Sequence, residues 1–350
     1  MNEVTKKLID KLYNTSSLEE AEYLHLINNR TPEVTEYLRS LAVEVRKKHY
    51  GNKVYIRGLI EISNYCKNDC LYCGIRRSNK LVERYRLTEE EIISCAHVGY
   101  SLGFRTFVMQ GGEDPYYTDE RMCGIISEIK RNYPDCAVTL SLGERSRESY
   151  ERLYSAGADR YLLRHETADS CHYSRLHPSE LTLENRIDCL NSLKKIGFQT
   201  GCGFMVGSPY QTPKNIAKDL KFVETFSPQM CGIGPFIPHK DTPFRDFDAG
   251  DAEFTCYLLS IVRLAVPTVL LPATTALGSI LEGGRELGIL SGANVVMPNL
   301  SPEDTREKYS LYNNKLSTGA ESAEKLTLLK EKIAAIGYEV VTDRGDAIKM

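Results

Sequence analysis

Tyr55-Ile-Arg-Gly-Leu-Ile-Glu-Ile-Ser63 runs, after Asn64 and Tyr65, straight into Cys66-Lys-Asn-Asp-Cys70-Leu-Tyr-Cys73. The first stretch is rich in aromatic and β-branched residues and reads as a strand. The cysteine run is then the loop at that strand's C-terminal end. Outward from this pair the apolar pattern alternates. Further strands are predicted over Arg105–Gln110, Ala137–Leu142, Arg160–Arg164, Gln199–Val206, Met230–Phe236, Thr268–Pro272 and Asn294–Met297. Helical patterns lie between them. One begins at Thr88 with Glu89, Glu90 and Glu91 in its first turn. Others cover Asp119–Asn132, Ser146–Ala156, Leu183–Ile196, Pro213–Phe226, Ala252–Val266 and Gly283–Leu290, and Ser322–Ile336 is the candidate for the last. Regular βα alternation implies an α/β fold with a parallel sheet and right-handed crossovers. Eight units fit a closed (β/α)8 TIM-type barrel; an open doubly wound sheet is the alternative. Residues 1–52 read as an N-terminal helical extension, with helices over Leu18–Asn29 and Pro32–His49. Residues 53–350 then form the barrel and a C-terminal segment. Active sites of such barrels lie at the C-terminal ends of the strands, which is where the cysteines fall.

The spacing Cys66-x3-Cys70-x2-Cys73 suits iron and sulfur. Three thiolates on one loop hold three irons of a cubic 4Fe–4S cluster and leave the fourth iron open, as a reaction site. A zinc site usually closes with four ligands, and no fourth Cys or His lies nearby in sequence. Tyr72 completes the pattern C-x3-C-x-Y-C. With it the loop resembles that of the radical S-adenosylmethionine (SAM) superfamily. The resemblance implies one 4Fe–4S cluster and SAM as cofactors.

Other motifs end other strands. Gln110-Gly111-Gly112-Glu113-Asp114 follows strand two, where two glycines let backbone pass close to a ligand. A plain βα turn explains them as well, and the neighbouring cysteine loop favours a site for the SAM amino group. Arg164-His165-Glu166 ends strand four. Charges just past an apolar strand are costly unless paired or used. Arg164 and Glu166 share a side by the period of two, with Glu166 toward SAM and Arg164 toward an anionic substrate, or the two as a structural ion pair. His165 reads as a structural hydrogen-bonder. Gly201-Cys-Gly-Phe-Met205-Val206 ends strand five and offers either a flat adenine pocket or a glycine-containing core strand. Thr274 and Thr275 end strand seven, and Met297-Pro-Asn299 closes strand eight.

Residues from about Lys53 to Asn314 resemble, more narrowly, the HydE family of FeFe-hydrogenase maturases. The segments that carry this include Glu61-Ile-Ser-Asn-Tyr-Cys66, Thr139-Leu-Ser141-Leu-Gly-Glu144, Arg160-Tyr-Leu-Leu-Arg164-His-Glu166, Gly-Pro-Phe-Ile-Pro-His239 and Pro-Ala-Thr274-Thr275-Ala. The resemblance implies reductive cleavage of SAM. It further implies attack by the resulting radical on the sulfur of a cysteine-bound Fe(CO)2(CN) precursor. HydG would supply that precursor, HydF would be a further maturation partner, and an external donor would give the electron. It places Tyr72, Gln110, Gly111, Gly112, Glu113, Ser141, Glu166, Arg186, Met205, Val206 and Tyr309 around SAM. Arg186 would grip the SAM carboxylate. Arg160, Arg164, Thr139, Thr274, Thr275, Met297 and Tyr312 would face the substrate, the two arginines toward an anion-accommodating cavity. Other radical SAM enzymes of the methylornithine synthase or biotin synthase kind, and a non-catalytic iron–sulfur scaffold, are the competing readings.

Composition sets outer bounds. The 350 residues are 42% hydrophobic and 26% charged, the balance of a globular protein. A net charge of −3 gives no basic excess of the kind that tracks nucleic acid. No apolar run reaches membrane-spanning length, and the N-terminus does not read as a signal peptide. Eleven cysteines without such a signal predict a reducing cytoplasm. Asn313 to Gly319 carries no cysteine, and the last one in the chain is Cys256, so a second cluster is not expected.

Overall fold

The computed structural model describes residues 1–316 and 322–348; Ser317–Gly319 of the cysteine-free segment lie outside them. The strands are β1 (Lys53–Ile56), β2 (Gly58–Ser63), β3 (Thr106–Gly111), β4 (Ala137–Ser141), β5 (Arg160–Leu162), β6 (Gln199–Cys202), β7 (Met205–Val206), β8 (Met230–Cys231), β9 (Gly234–Pro235), β10 (Val295–Val296) and β11 (Glu339–Val341). All pairings between them are parallel. β2, β3, β4, β5, β6 and β8 lie side by side in that order, and β7 pairs with β9. Bridges Met230↔Leu270 and Pro272↔Val295 carry the sheet onward to β10. That strand pairs with β1, while Leu59↔Asn299 joins the upper half of the same seam. The sheet therefore closes on itself as an eight-stranded barrel, in which β1 with β2, β6 with β7, and β8 with β9 each form one long interrupted strand.

The seventh strand survives only as bridges. Pro267 and Pro272 bound it, and a proline has no N–H to give a ladder. Asn294 compensates, its side-chain carbonyl accepting the Leu271 N–H at 2.9 Å. The strands are buried almost throughout, as expected of a parallel sheet covered by helices on its outer face. Those helices start where hydroxyl and carboxylate caps stand. Thr88, Thr118, Ser146, Thr182, Thr212 and Asp251 each accept a backbone N–H of the first turn.

Helices Glu3–Thr15, Glu20–Asn28 and Pro32–Tyr50 lie against the barrel's outer helices Pro213–Phe226 and Ala252–Ala265 and share their apolar core. Arg46, fully buried, donates to the carbonyls of Ala293, Gly51 and Lys53 and ties this layer to the barrel base. At that base β11 adds to β1 as a parallel neighbour, a strand the sequence pattern does not announce. Among the described residues no helix is long and apolar enough to cross a membrane.

Candidate active site

β2 delivers the chain to the rim, where residues 64–87 fold back over its end. Asn64 accepts the Tyr85 N–H and donates to the carbonyls of Glu83 and Lys308. Leu87 N–H returns to the Ile62 carbonyl. The cysteines sit inside this fold, each half-buried. Burial pushes all three thiols up, Cys73 to about 12, and Cys70 is pushed further by Cys73 and Cys66 beside it. The three thus face one small space. Yet among the described residues no three His, Cys, Asp or Glu side chains stand close enough to ligate a single ion. Three thiols on one loop are the donor set of a cubic cluster, whose thiolates bind three different corners.

Gly112 serves the loop directly. A Cβ there would stand 2.1 Å from the Tyr65 carbonyl oxygen and 2.8 Å from Cys66 Cβ. Its neighbour Glu113 accepts the Lys67 N–H on its backbone carbonyl at 2.9 Å, and its carboxylate lies 3.2 Å from Lys67 Nζ. Tyr72 is fixed by its hydroxyl, 3.1 Å from His177 Nε2. His177 Nδ1 faces the Tyr173 carbonyl at 3.0 Å, so Nδ1 carries the proton and Nε2 accepts from Tyr72. Burial holds His177 down at about 3, which keeps that tautomer neutral.

A cavity of about 320 Å³ opens beside the loop at the strands' C-terminal ends. It is lined by Tyr72, Cys73, Gln110, Gly111, Ser141, Arg164, Glu166, Met205, Thr274, Thr275, Met297, Tyr309 and Tyr312. Thirteen site residues, scattered over 240 positions of sequence, are thereby brought to one space. Arg164 Nη2 and Glu166 Oε2 are 3.1 Å apart. They share a side for a reason the strand period does not supply. β5 ends at Leu162, and Glu166 takes a left-handed φ of 63° that turns its side chain back toward Arg164. His165 points the other way and is fully buried. It accepts the Gly203 N–H on Nδ1, and burial holds it at about 3, neutral, against Asp219.

Other expected residues stand around the cavity without lining it. Arg186 lies behind Arg164, donating to the Arg164 carbonyl at 2.8 Å and to Glu144 Oε1 at 2.5 Å. Burial opposes its charge, but Tyr173, Glu144, Tyr72 and Glu113 together reinforce it, which places it beside the cysteine loop. Thr139 is one layer below Ser141 on the same face of β4, its hydroxyl buried without a hydrogen-bond partner. Val206 is fully buried in the pairing with Pro235.

Arg160 requires a correction. It opens β5 at the opposite end from Arg164, some four residues or roughly 13 Å of strand away. Its guanidinium donates to Thr106 Oγ1 (3.0 Å), to the Arg344 carbonyl (2.7 Å) and to Asp346 (2.7 Å). The C-terminal tail supplies its anion, and it is not among the residues that line the cavity above.

Two charged lining residues escape the motif reading. Glu61, fully buried near the end of β2, accepts from Lys315 Nζ at 2.5 Å and Asn299 Nδ2 at 2.8 Å, and Lys315 lies 4.9 Å over the Tyr309 ring. A carboxylate inside the run Leu59-Ile60-Glu61-Ile62 is a legible signal, because burying an unpaired charge is costly. Its partner, 254 positions on, is not legible. Cys202 and Cys231 also meet, in register on β6 and β8. Two thiols do not make a second cluster site.

Residues 60–223 match the model of the radical SAM superfamily. The chain is 43% identical over 343 residues to the FeFe hydrogenase maturase subunit HydE of Thermotoga maritima, covering 98% of this chain and 96% of that one. The chain belongs to the HydE family. It is thus a radical SAM enzyme of FeFe-hydrogenase maturation. Similarity extends to the 3-methylornithine synthase of Methanosarcina barkeri, at 28% identity over 88% of this chain and 87% of the relative. Among solved structures, methylornithine synthase superposes with a TM-score of 0.84 at 26% identity, covering 95% of this chain and 97% of that one. The maturase HydG superposes with a TM-score of 0.81 at 20% identity, covering 97% and 76%. The HydE family implies a 4Fe–4S cluster and SAM, and the residues above fit both. The three thiols lie close enough to raise one another, Gly112 clears the loop, and Thr274 Oγ1 is left unbonded in the cavity wall.

Proposed function

We propose that Cys66, Cys70 and Cys73 hold one 4Fe–4S cluster per chain and that the cavity processes a small cysteine-bound Fe(CO)2(CN) precursor for the hydrogenase. When bound, the cluster and SAM supply one-electron cleavage of the sulfonium and a 5′-deoxyadenosyl radical. The protein's part is to place and shield these groups. Glu166 and the backbone of Gln110 to Gly112 accept from the SAM ammonium and ribose. Arg186, already charged and buried, binds the carboxylate. Met205 lines the apolar wall for adenine. Arg164 turns from Glu166 to the anionic precursor, and Thr274, Thr275 and Ser141 donate to its acceptors. Met297, Tyr309 and Tyr312 close the space against water, which protects a reactive radical from quenching.

The observation that carries this reading is the convergence of Cys73, Tyr72, Arg164 and Glu166 on one cavity at the barrel's catalytic end. HydG as supplier of the precursor, HydF as a further partner, an external reductant and a cytoplasmic location complete the proposal. The test is anaerobic reconstitution with iron, sulfide, SAM and dithionite. The protein should form 5′-deoxyadenosine and contain about four irons per chain. No 5′-deoxyadenosine from a fully loaded protein would leave only a scaffold role.

A further inference from the structure

A cationic and aromatic rim surrounds the cysteine loop. Between Tyr65 and Arg86 the chain carries six Lys and Arg against two Asp and Glu, in a protein of net charge −3. Arg84 knits this rim together. Its guanidinium donates to the carbonyls of Asn64, Ile75, Arg76 and Asn79, with no carboxylate among them. From Arg84 a ladder of stacked cations and rings leads outward. Arg84 lies 5.9 Å from the Tyr65 ring centre, and Arg86 lies 3.9 Å from Tyr65 and 4.9 Å from Tyr116. Arg121 caps the other side of the ladder, 4.1 Å from Tyr116.

The rim also exposes apolar surface beside its charge. Tyr65 and Tyr116 are each 37% exposed and Leu81 is 78% exposed. Three acids of this face are engaged: Asp69 with Arg76, Asp114 with Arg86, Glu83 with Lys308. The carboxylates paired with Arg77 and Arg121, Glu180 and Glu89, stand off at 3.9 Å. Lys80 projects into solvent.

Each SAM cleaved consumes one electron, and the chain has a single cysteine run of iron–sulfur spacing. Where SAM ends as methionine and 5′-deoxyadenosine, as proposed above, the electron comes from outside at every turnover. Electron tunnelling falls steeply with distance, so the donor has to dock on the surface nearest the cysteines. Tyr65, next to Cys66 in the chain, marks that surface. We propose that this rim is the docking face for a small acidic one-electron carrier protein. One electron leaves the carrier's reduced centre and enters the cluster; no atom or proton is transferred. Opposite charge steers the encounter, and the exposed rings and Leu81 supply the apolar centre of a transient interface. Arginines and aromatics also suit single-stranded nucleic acid; the position beside an electron-consuming centre favours the carrier.

The proposal rests on the cluster and SAM reading above, and the test separates the two. The variant carrying Arg77→Glu, Lys80→Glu and Arg121→Glu is compared with the wild-type chain, both fully reconstituted. Driven by dithionite, the two should cleave SAM at equal rates. Driven by a reduced acidic 4Fe–4S ferredoxin at low salt, the variant's KM for ferredoxin should rise at least tenfold and its salt dependence should flatten. Equal ferredoxin KM values overturn the proposal. Lost binding of a single-stranded oligonucleotide with unchanged ferredoxin kinetics overturns it too and assigns the face to nucleic acid. Should the triple variant lose dithionite-driven activity, Lys80→Glu alone carries the test, with about a threefold rise in KM expected. Failure of the wild type with dithionite strikes the parent reading instead and takes the proposal with it.

Discussion

At the C-terminal ends of its strands the barrel opens a cavity lined by polar groups, while at the N-terminal ends it ties Arg160 and Arg344 to the C-terminal tail. The upper cavity has an unbonded Thr274 hydroxyl, a left-handed Glu166 and an Arg164 whose partner is its own near neighbour. The lower end has Arg160 bonded to Thr106, Arg344 and Asp346, and Arg344 bonded in turn to Asp159 and the Cys136 carbonyl. Two arginines four positions apart, Arg160 opening β5 and Arg164 just past its end, thus have opposite settings, one proposed for binding and one held in a stabilising network. Strand direction, more than residue type, decides which is which.

The sharpest way to break this contrast is at the cysteines. Cys66→Ser, Cys70→Ser or Cys73→Ser should abolish both the cluster absorbance and SAM cleavage, since three thiolates are the minimum that leaves one iron open. SAM cleavage retained by Cys70→Ser protein with a verified cluster deficit would remove the loop from the chemistry. Next in size is Arg164→Ala. SAM should still bind and be cleaved unproductively while hydrogenase maturation is lost, read by hydrogen evolution after in vitro maturation. Normal maturation would send Arg164 to the structural end.

Arg186→Ala or Glu166→Ala should weaken SAM binding by about 1.5–3 kcal/mol, the range of a charged hydrogen bond, with cluster assembly intact. Isothermal titration settles it, and unchanged affinity in both would make them structural. Arg160→Ala should do the reverse. It should leave SAM affinity alone and lower stability by about 1–3 kcal/mol. In a chain of this size that is a melting shift of roughly 1–2 °C per kcal/mol. A selective loss of maturation at unchanged melting temperature would restore Arg160 to the substrate.

The smallest effect concerns acid. Burial lifts the Asp346 carboxyl, but hydrogen bonds from Arg344 and Gln199 and the Arg160 charge hold it well below the usual carboxylate range. A depressed carboxyl stabilises the fold above its unfolded value of about 3.9 and loses that contribution as pH falls through the folded value. The Ala347 amide, bonded to Gln199 Oε1 at 3.0 Å, should therefore keep its hydrogen-exchange protection down to about pH 4 and lose it in stronger acid. Early loss, near pH 6, would mean that the base is not held by this carboxylate.

How much of this was legible varies with range. The barrel was readable because each βα unit declares itself locally, by an apolar run and a Thr or Ser cap. The Cys66 loop and the Gln110 glycines were readable because their spacing is local as well. Strand seven was blurred by its prolines, and β11 by a sequence, Glu339 to Val341, too short to register. The placement of Arg160 failed because its anion, Asp346, is 186 positions away. Lys315 was missed for the same reason. The turn that brings Glu166 round to Arg164 depends on a single dihedral angle, which no apolar period encodes.

The cysteine loop is braced by the far end of the chain. Gly74 N–H donates to the Leu311 carbonyl, Asn64 donates to Lys308, and Ser310 meets His239 under Gly74. These braces are made some 235 residues after Cys73 leaves the ribosome. At the usual 5–20 residues per second that is a wait of roughly 10–50 s. Throughout it the three thiols have their near neighbours but not their roof. Synthesis time is thus the interval in which oxidation or a stray metal can claim them, and chain length becomes a clock against which cluster loading must run.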